Sequence, residues 1–312
     1  MVWVFLILLG LSGVILWASR MTYRLVFYNL NHKEQDIYVV PPGDQYEKIA
    51  DLMLRQIYEL DQLPFEQLCI TARDGIKLAA RYYHFRDGAP VQIQFHGYRG
   101  NGVREYSGGC KIAEKLGFNA IVVDERAHGK SGGHTITFGI KERYDCVDWA
   151  NYARNRFGER TPIILSGVSM GAATVLMASE LELPANVVAI TADCPYSSPG
   201  AIIRKVCRDI RLPSMVAYPF VVLGALVFGR FKLWESSAVK AVRNTRIPIQ
   251  LIHGDDDRFV PCDMSREIYN ACAGPKRLDT FPDAGHGLCC LVDPQKYEEV
   301  FTSFLRSCGV IK

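Results

Sequence analysis

The chain has 312 residues, 49% of them hydrophobic and 22% charged, and its 36 basic side chains against 33 acidic ones leave a net charge of only +3. That composition supports a packed core and excludes a disordered chain, and with no basic block or aromatic-interleaved basic stripe it gives nucleic acid no footing as a partner. The ten cysteines (Cys69, Cys110, Cys146, Cys194, Cys207, Cys262, Cys272, Cys289, Cys290 and Cys308) form no C-x-x-C pair and no Cys/His ligand spacing. No zinc site is expected, and the thiols read as small buried residues in a reducing compartment.

Residues 2–18 (VWVFLILLGLSGVILWA) carry no charge and are followed by Arg20, Arg24 and Lys33, with Trp3, Trp17 and Tyr23 where interfacial aromatics belong. No Lys or Arg precedes the run and no A-x-A site ends it, which favours an uncleaved single-pass membrane anchor over residues 1–20 against a cleaved signal peptide. Basic residues on its C-terminal side place the body of the protein in the cytoplasm by the positive-inside rule. Residues 21–64 read as a linker, punctuated by Pro41-Pro42-Gly43, that ends in an amphipathic helix over 44–60. Asp44 is its expected N-cap, Tyr46, Ile49, Met53, Ile57 and Leu60 share one face, and its expected role is a spacer on the domain edge.

Residues 65–85 read as a hairpin turning at Asp74-Gly75. Strands are then expected at 91–95, 120–123, 162–165, 187–191, 247–252 and 277–281, with helices over 105–116, 139–157, from the Ser169 turn to about 181, 262–273 and 294–306. Such alternation implies an α/β fold whose mostly parallel sheet is covered by helices on both faces, with functional residues at the carboxyl ends of the strands. Residues 196–246 are too long for a crossover, and their apolar run 214–229 is short and broken by Pro219 and Gly224. An inserted helical lid over the active-site edge is the economical reading, its apolar helix either core-packed or presenting an acyl-binding or membrane-touching face.

The chemistry centres on Gly167-Val168-Ser169-Met170-Gly171, a G-x-S-x-G pattern between an aliphatic run and a small-residue helix. A serine needs an imidazole to take its proton, and the imidazole needs a carboxylate to fix its tautomer. His286, in DAGHG after the last strand, is the candidate base; Asp257, in HGDDDRFVP after the preceding strand, is the favoured acid, with Asp255, Asp256 and Asp193 as rivals. The order Ser, Asp, His is the one this kind of fold uses. Oxyanion donors, worth about 2.7–4 kcal/mol each, are expected from the backbone N–H groups of Met170 and of Tyr98 in HGYRG.

Taken together, HGYRGN, DERAHGKSGG, GVSMG, HGDDDRFVP and DAGHG, in that order between residues 65 and 308, resemble the α/β-hydrolases of the serine esterase and lipase type. The pattern is similar to bacterial membrane-anchored members of unassigned substrate. The resemblance implies an α/β-hydrolase domain over 65–312 with the cap insertion at about 196–246, catalytic roles for Ser169, Asp257 and His286, backbone oxyanion roles for Tyr98 and Met170, and no metal or organic cofactor. It departs from the lipase-type HGGG loop, so bulky or tertiary esters are less expected, and residues 1–64 lie outside it. The expected activity is cleavage of carboxylic esters, lipid or small, through an acyl-enzyme. Thioester or peptide hydrolysis by the same triad, or a catalytically silent scaffold that binds a lipid or protein, are the alternatives. His128 and Ser131 read as a structural turn, His96 and His253 as loop-bonding histidines, Cys289 and Cys290 as buried structural thiols, Arg99 as solvated, and Glu125 and Arg126 as surface or loop contacts.

Overall fold

The computed structural model describes residues 1–30 and 36–311, so Lys33 lies outside the described residues. The strands β1 (Glu66–Thr71), β2 (Lys77–Tyr83), β3 (Val91–Phe95), β4 (Asn119–Asp124), β5 (Ile163–Val168), β6 (Val187–Asp193), β7 (Ile249–Gly254) and β8 (Lys276–Phe281) form one sheet in the order β1-β2-β4-β3-β5-β6-β7-β8. β2 pairs antiparallel with β1 and β4, and every other pair is parallel. The hairpin turns at Gly75, whose φ of 85° is open to glycine at no steric cost.

Alternation along each central strand builds two cores. Val91, Ile93 and Phe95 of β3, with Ile121 and Leu165, face Trp149 and Leu176. Ala120, Val122 and Ile164 face Tyr106, Ile112 and Phe304 on the other side. Because helices cover both faces, the inner strands are buried over almost their whole length. Polar exceptions on the second face, Gln92 and Ser166, satisfy each other through a Gln92 Nε2 to Ser166 Oγ bond of 2.9 Å.

Helix boundaries follow their caps. Gly102–Leu116 begins three residues earlier than expected because the Asn101 side chain accepts from the Arg104 N–H at 2.8 Å, and it ends at Gly117 with φ 69°. Glu142–Phe157 begins later than expected: the Glu142 carboxylate gathers the N–H groups of Thr137 and Gly139 into a turn, with Gly139 at φ 87°. The helix expected over 44–60 is two helices, Asp44–Glu47 and Ala50–Gln62, and Asp44 is not a cap; Gly43 stands there without a side-chain bond. Met53, Ile57 and Leu60 are buried on the face that the periodicity marks.

The N-terminal helix spans Val2–Val26, 25 residues, about 37 Å at 1.5 Å per residue. By length and composition it can cross a membrane. Its last two turns belong to the body rather than to a tether: Thr22 Oγ1 donates to the Phe220 carbonyl at 3.0 Å, and Phe27 is fully buried against Phe138 and Phe231 with ring centroids 5.8 and 5.2 Å away. Between β6 and β7 the insertion carries Pro199–Asp209, Ser214–Gly224 running on into a wider turn at Ala225–Gly229, and Ala238–Ala241. These helices pack over Met170, Ala173 and Met177, and against Tyr23 and Phe27 of the N-terminal segment.

Candidate active site

The turn that carries Ser169 is made possible by its two glycines. A Cβ at Gly171 would lie 2.2 Å from the Phe95 carbonyl oxygen, and one at Gly167 would lie 2.3 Å from the Gly171 carbonyl carbon. Both are backbone atoms with no room to yield, so only glycine lets β5, β3 and the helix Met170–Ala178 meet this closely. Ser169 itself takes φ 55° and ψ −110°, a strained conformation for a residue with a side chain. Its N–H is held by the Asp193 carbonyl at 2.8 Å.

The turn points Ser169 Oγ at His286. Oγ–H donates to Nε2 at 2.9 Å, and Nδ1–H donates to Asp257 Oδ2 at 2.6 Å. The other Asp257 oxygen accepts the N–H groups of Phe259 and Val260 at 2.9 and 2.8 Å, which fixes the carboxylate in its loop. Burial alone would push this carboxyl upward, but the hydrogen bonds from His253 and His286 outweigh it and hold it below the ordinary carboxylate range. The rivals separate by geometry. Asp255 and Asp256 point outward to Arg266 and Arg258. Asp193 is buried under the site, where burial pushes its carboxyl up to about 6 and Oδ1 has no partner among the described residues.

Of the two expected oxyanion donors, Tyr98 lines the pocket and Met170 directly follows Ser169 at the start of the helix. Met170 is the first residue of its helix, so its N–H has no intrahelical acceptor. Tyr98 lines the pocket directly after Gly97, where a Cβ would lie 3.3 Å from Ser169 Cβ. The Tyr98 loop is tied down from behind: Tyr98 Oη donates to the Val26 carbonyl at 2.8 Å and its ring stacks on Phe138 at 5.0 Å. Arg99 is exposed, as expected, and its guanidinium also donates to the carbonyls of Leu25 and Tyr28 at 2.9 and 3.2 Å. Those groups close the C-terminal end of the N-terminal helix, where a cation is favoured.

The remaining motif histidines bond to loops. His96 Nδ1–H donates to the Gly97 carbonyl and Nε2 accepts from the Glu125 N–H; His128 Nδ1–H donates to the Arg126 carbonyl and Nε2 accepts from the Arg99 N–H. His253 Nε2–H donates to the Val260 carbonyl at 2.8 Å and lies 3.3 Å from Asp257 Oδ2. Ser131 bonds the β4 end through the Asp124 carbonyl. Glu125 and Arg126 are buried rather than at the surface, and Arg126 makes its expected loop contact with Asp74 at 2.9 Å. Arg126 forms a two-pronged pair with Asp145 at 2.6 Å, and Glu125 is buried with its carboxyl pushed far upward by that burial. Cys289 is buried as expected, and Cys290 edges the pocket with its thiol pushed up to about 12 by burial.

A cavity of about 540 Å³ opens beside Ser169. Its apolar wall includes Met53, Ile112, Phe259, Leu291 and Phe301, and its roof is the segment 39–46, with Pro41, Gln45 and Tyr46. No residue of 196–246 lines it, so the inserted helices buttress the serine helix and the N-terminal helix instead of roofing the pocket. The expected spacer thus supplies the wall: Tyr46 Oη donates to the His286 carbonyl at 3.0 Å. Sequence reading missed this role because a contact across 240 positions leaves no mark in local periodicity. Nothing local in the sequence marks Cys194 as a neighbour of the site either; its Sγ lies 4.0 Å from His286 Nε2. Cys194, Asp257 and His286 bring three ligand-type atoms within 4.8 Å of one another. Burial pushes the Cys194 thiol far above its usual value, and Asp257 and His286 are already bonded to each other, so the set fits a hydrogen-bonded chain better than a metal centre.

A serine on a strand–turn–helix elbow of an eight-stranded, mostly parallel sheet is the arrangement of an α/β-hydrolase. The model of the alpha/beta hydrolase family matches residues 95–300, and the chain belongs to that family. It is similar to the uncharacterized protein YqkD of Bacillus subtilis, 27% identical over 191 residues that cover 61% of this chain and 63% of that one, less than two thirds of the relative's length. It is also similar to human protein ABHD12B, 27% identical over 223 residues covering 66% of this chain and 58% of the relative. Among solved structures, the Pyrococcus furiosus esterase Pf2001 aligns over 86% of this chain and 97% of its own with a TM-score of 0.63 at 23% identity, a likeness of fold.

Proposed function

We propose that the protein is a serine hydrolase that cleaves carboxylic esters through an acyl-enzyme intermediate, acting on lipid or other acyl esters at the membrane to which its N-terminal helix anchors it. The observation that carries the reading is the unbroken chain Ser169 Oγ–His286–Asp257, at 2.9 and 2.6 Å. Ser169 Oγ attacks the ester carbonyl as His286 Nε2 takes its proton, and Asp257 stabilises the imidazolium. The carbonyl electrons move onto the oxygen, which the N–H groups of Met170 and Tyr98 hold. His286 then protonates the leaving alkoxide, which departs as the alcohol. Water, deprotonated by the same imidazole, releases the acid and restores the serine.

The apolar cavity wall suits an acyl chain, and the esterase among the structural neighbours favours an oxygen ester. Arg20 and Arg24 after the apolar stretch, and ten cysteines that are all free, support a catalytic domain on the cytoplasmic side. The test is labelling of the full chain by a fluorophosphonate, with peptide mapping, beside turnover of p-nitrophenyl esters of increasing chain length. Label on Ser169 and loss of turnover in Ser169→Ala are expected; undiminished turnover in that variant would sink the assignment.

A further inference from the structure

The helix Ser214–Gly224 and its continuation Ala225–Gly229 carry no charged residue, yet only one side of them is used by the fold. Val221, Gly224 and Ala225 face inward. Gly224 sits directly on the N-terminal helix, where a Cβ would come within 2.5 Å of the Ser19 carbonyl oxygen. The opposite side leaves Met215 91% exposed, Val216 62% and Val227 45%, and Leu212 just before the helix is exposed too. These positions, with Pro219 between them, recur at helical spacing and form one apolar row rather than scattered surface residues.

The row does not end in water on every side. The helix that carries it packs through Gly224 on the helix Val2–Val26, whose residues 2–17 are themselves apolar and exposed. Around both lie exposed cations: Arg204, Arg208, Arg211, Arg230 and Lys232 on the insertion, Arg20 and Arg24 on the N-terminal helix. Across residues 199–232 the one acid is Asp209, and Lys205 already pairs with it at 2.5 Å. An apolar stripe flanked by basic side chains, on a helix packed against one able to cross a membrane, matches the layered chemistry of an anionic bilayer: acyl chains beneath, phosphates above.

We propose that the outer face of the helix Ser214–Gly229 is a second membrane contact, lying in the interface of an anionic bilayer beside the anchor, with the flanking arginines on lipid phosphates. The inference rests on the anchor reading above and goes beyond it. A single spanning helix leaves the body free to tilt, whereas two contacts joined at Ser19 and Gly224 fix the face it turns to the membrane.

The experiment uses the full chain in vesicles of phosphatidylcholine and phosphatidylglycerol, with a photoreactive benzophenone side chain placed singly at position 9, 159, 215, 216 or 227, and adducts read by mass. Lipid adducts are expected at 215, 216 and 227 as at Leu9 in the anchor, and none at the exposed Glu159. Omitting phosphatidylglycerol should lower the yield at 215 several-fold and leave position 9 unchanged. Adducts at 9 but not at 215, 216 or 227 would overturn the proposal and leave the anchor standing; none at 9 would overturn the anchor reading itself. Cross-linked dimers from 215 would overturn it by assigning the face to a second copy. A yield at 215 indifferent to phosphatidylglycerol would remove the headgroup role of the arginines.

Discussion

Replacing Asp257 by Asn changes one atom and reverses the direction of one hydrogen bond. Asp257 Oδ1 accepts two backbone N–H groups at 2.9 and 2.8 Å, so the Asn oxygen has to stay there and its amino group takes the place of Oδ2. That amino group would meet the His286 Nδ1–H at 2.6 Å, donor against donor. The imidazole relieves the clash by moving its proton to Nε2, where it faces Ser169 Oγ and no longer accepts from it. A wrong tautomer of this kind lowers kcat by about ten-thousand-fold in Ser-His-Asp enzymes, about 5.5 kcal/mol of transition-state stabilisation. The assay is kcat on a p-nitrophenyl ester beside the rate of fluorophosphonate labelling, with a thermal melt to show that the variant is folded. Asp193→Asn is the internal control. It touches neither ring nitrogen of His286, and kcat should change by less than about tenfold, since no hydrogen bond to the imidazole is lost. A folded Asp257→Asn enzyme within tenfold of wild type, or a larger loss in Asp193→Asn, would refute the triad as drawn.

The same Asp193 variant carries a pH prediction. The folded carboxyl titrates near 6, above its unfolded value, so it contributes a penalty that is absent below about pH 4 and complete above pH 6. Asp193→Asn should therefore add up to about 3 kcal/mol of stability at pH 8, seen as a higher Tm, and the gain should vanish toward pH 4; a gain independent of pH would contradict the assignment. Gly171→Ala drives a methyl into the Phe95 carbonyl at 2.2 Å, and a loss of about 3 kcal/mol or more is expected, seen as a Tm fall of about 6–12 °C or as failure to accumulate folded protein. A variant that melts with wild type would show that the elbow has slack the close approach denies. Tyr98→Phe keeps the backbone N–H and the stacking on Phe138 but loses the bond to the Val26 carbonyl. A fall in kcat of about threefold to tenfold, with KM nearly unchanged, is expected from one hydrogen bond that positions the loop; an unchanged kcat would separate the helix end from the Tyr98 loop.

Much of this protein is written in short stretches of sequence, because the physics there is local. The run Ile163–Val168 leads to a serine with a glycine two residues to either side, and only glycine at those positions fits a turn that tight, so the candidate nucleophile and its strand are legible together. The parallel sheet follows from apolar strands alternating with amphipathic helices, and Asp257 from its spacing to the preceding His-Gly pair. The N-terminal helix is equally legible, since length and apolarity alone mark it.

What only the tertiary structure decided are the contacts between distant segments. The sequence marks Tyr46 as one apolar position on a helix; chain folding brings its hydroxyl to the His286 carbonyl and makes residues 39–46 the roof of the pocket. The sequence shows an apolar insertion beside a serine hydrolase pattern, which suggests a lid, yet its helices turn instead to the N-terminal helix through Gly224 and Phe220. Arg99 is the exposed loop cation that the sequence marks, but only the fold presents it with two carbonyls at the end of the N-terminal helix. Arg126 looks like a surface or loop contact until the helix Glu142–Phe157 supplies Asp145. In each case the partner lies more than fifteen positions away, and local periodicity records which face of an element is buried but not what it is buried against.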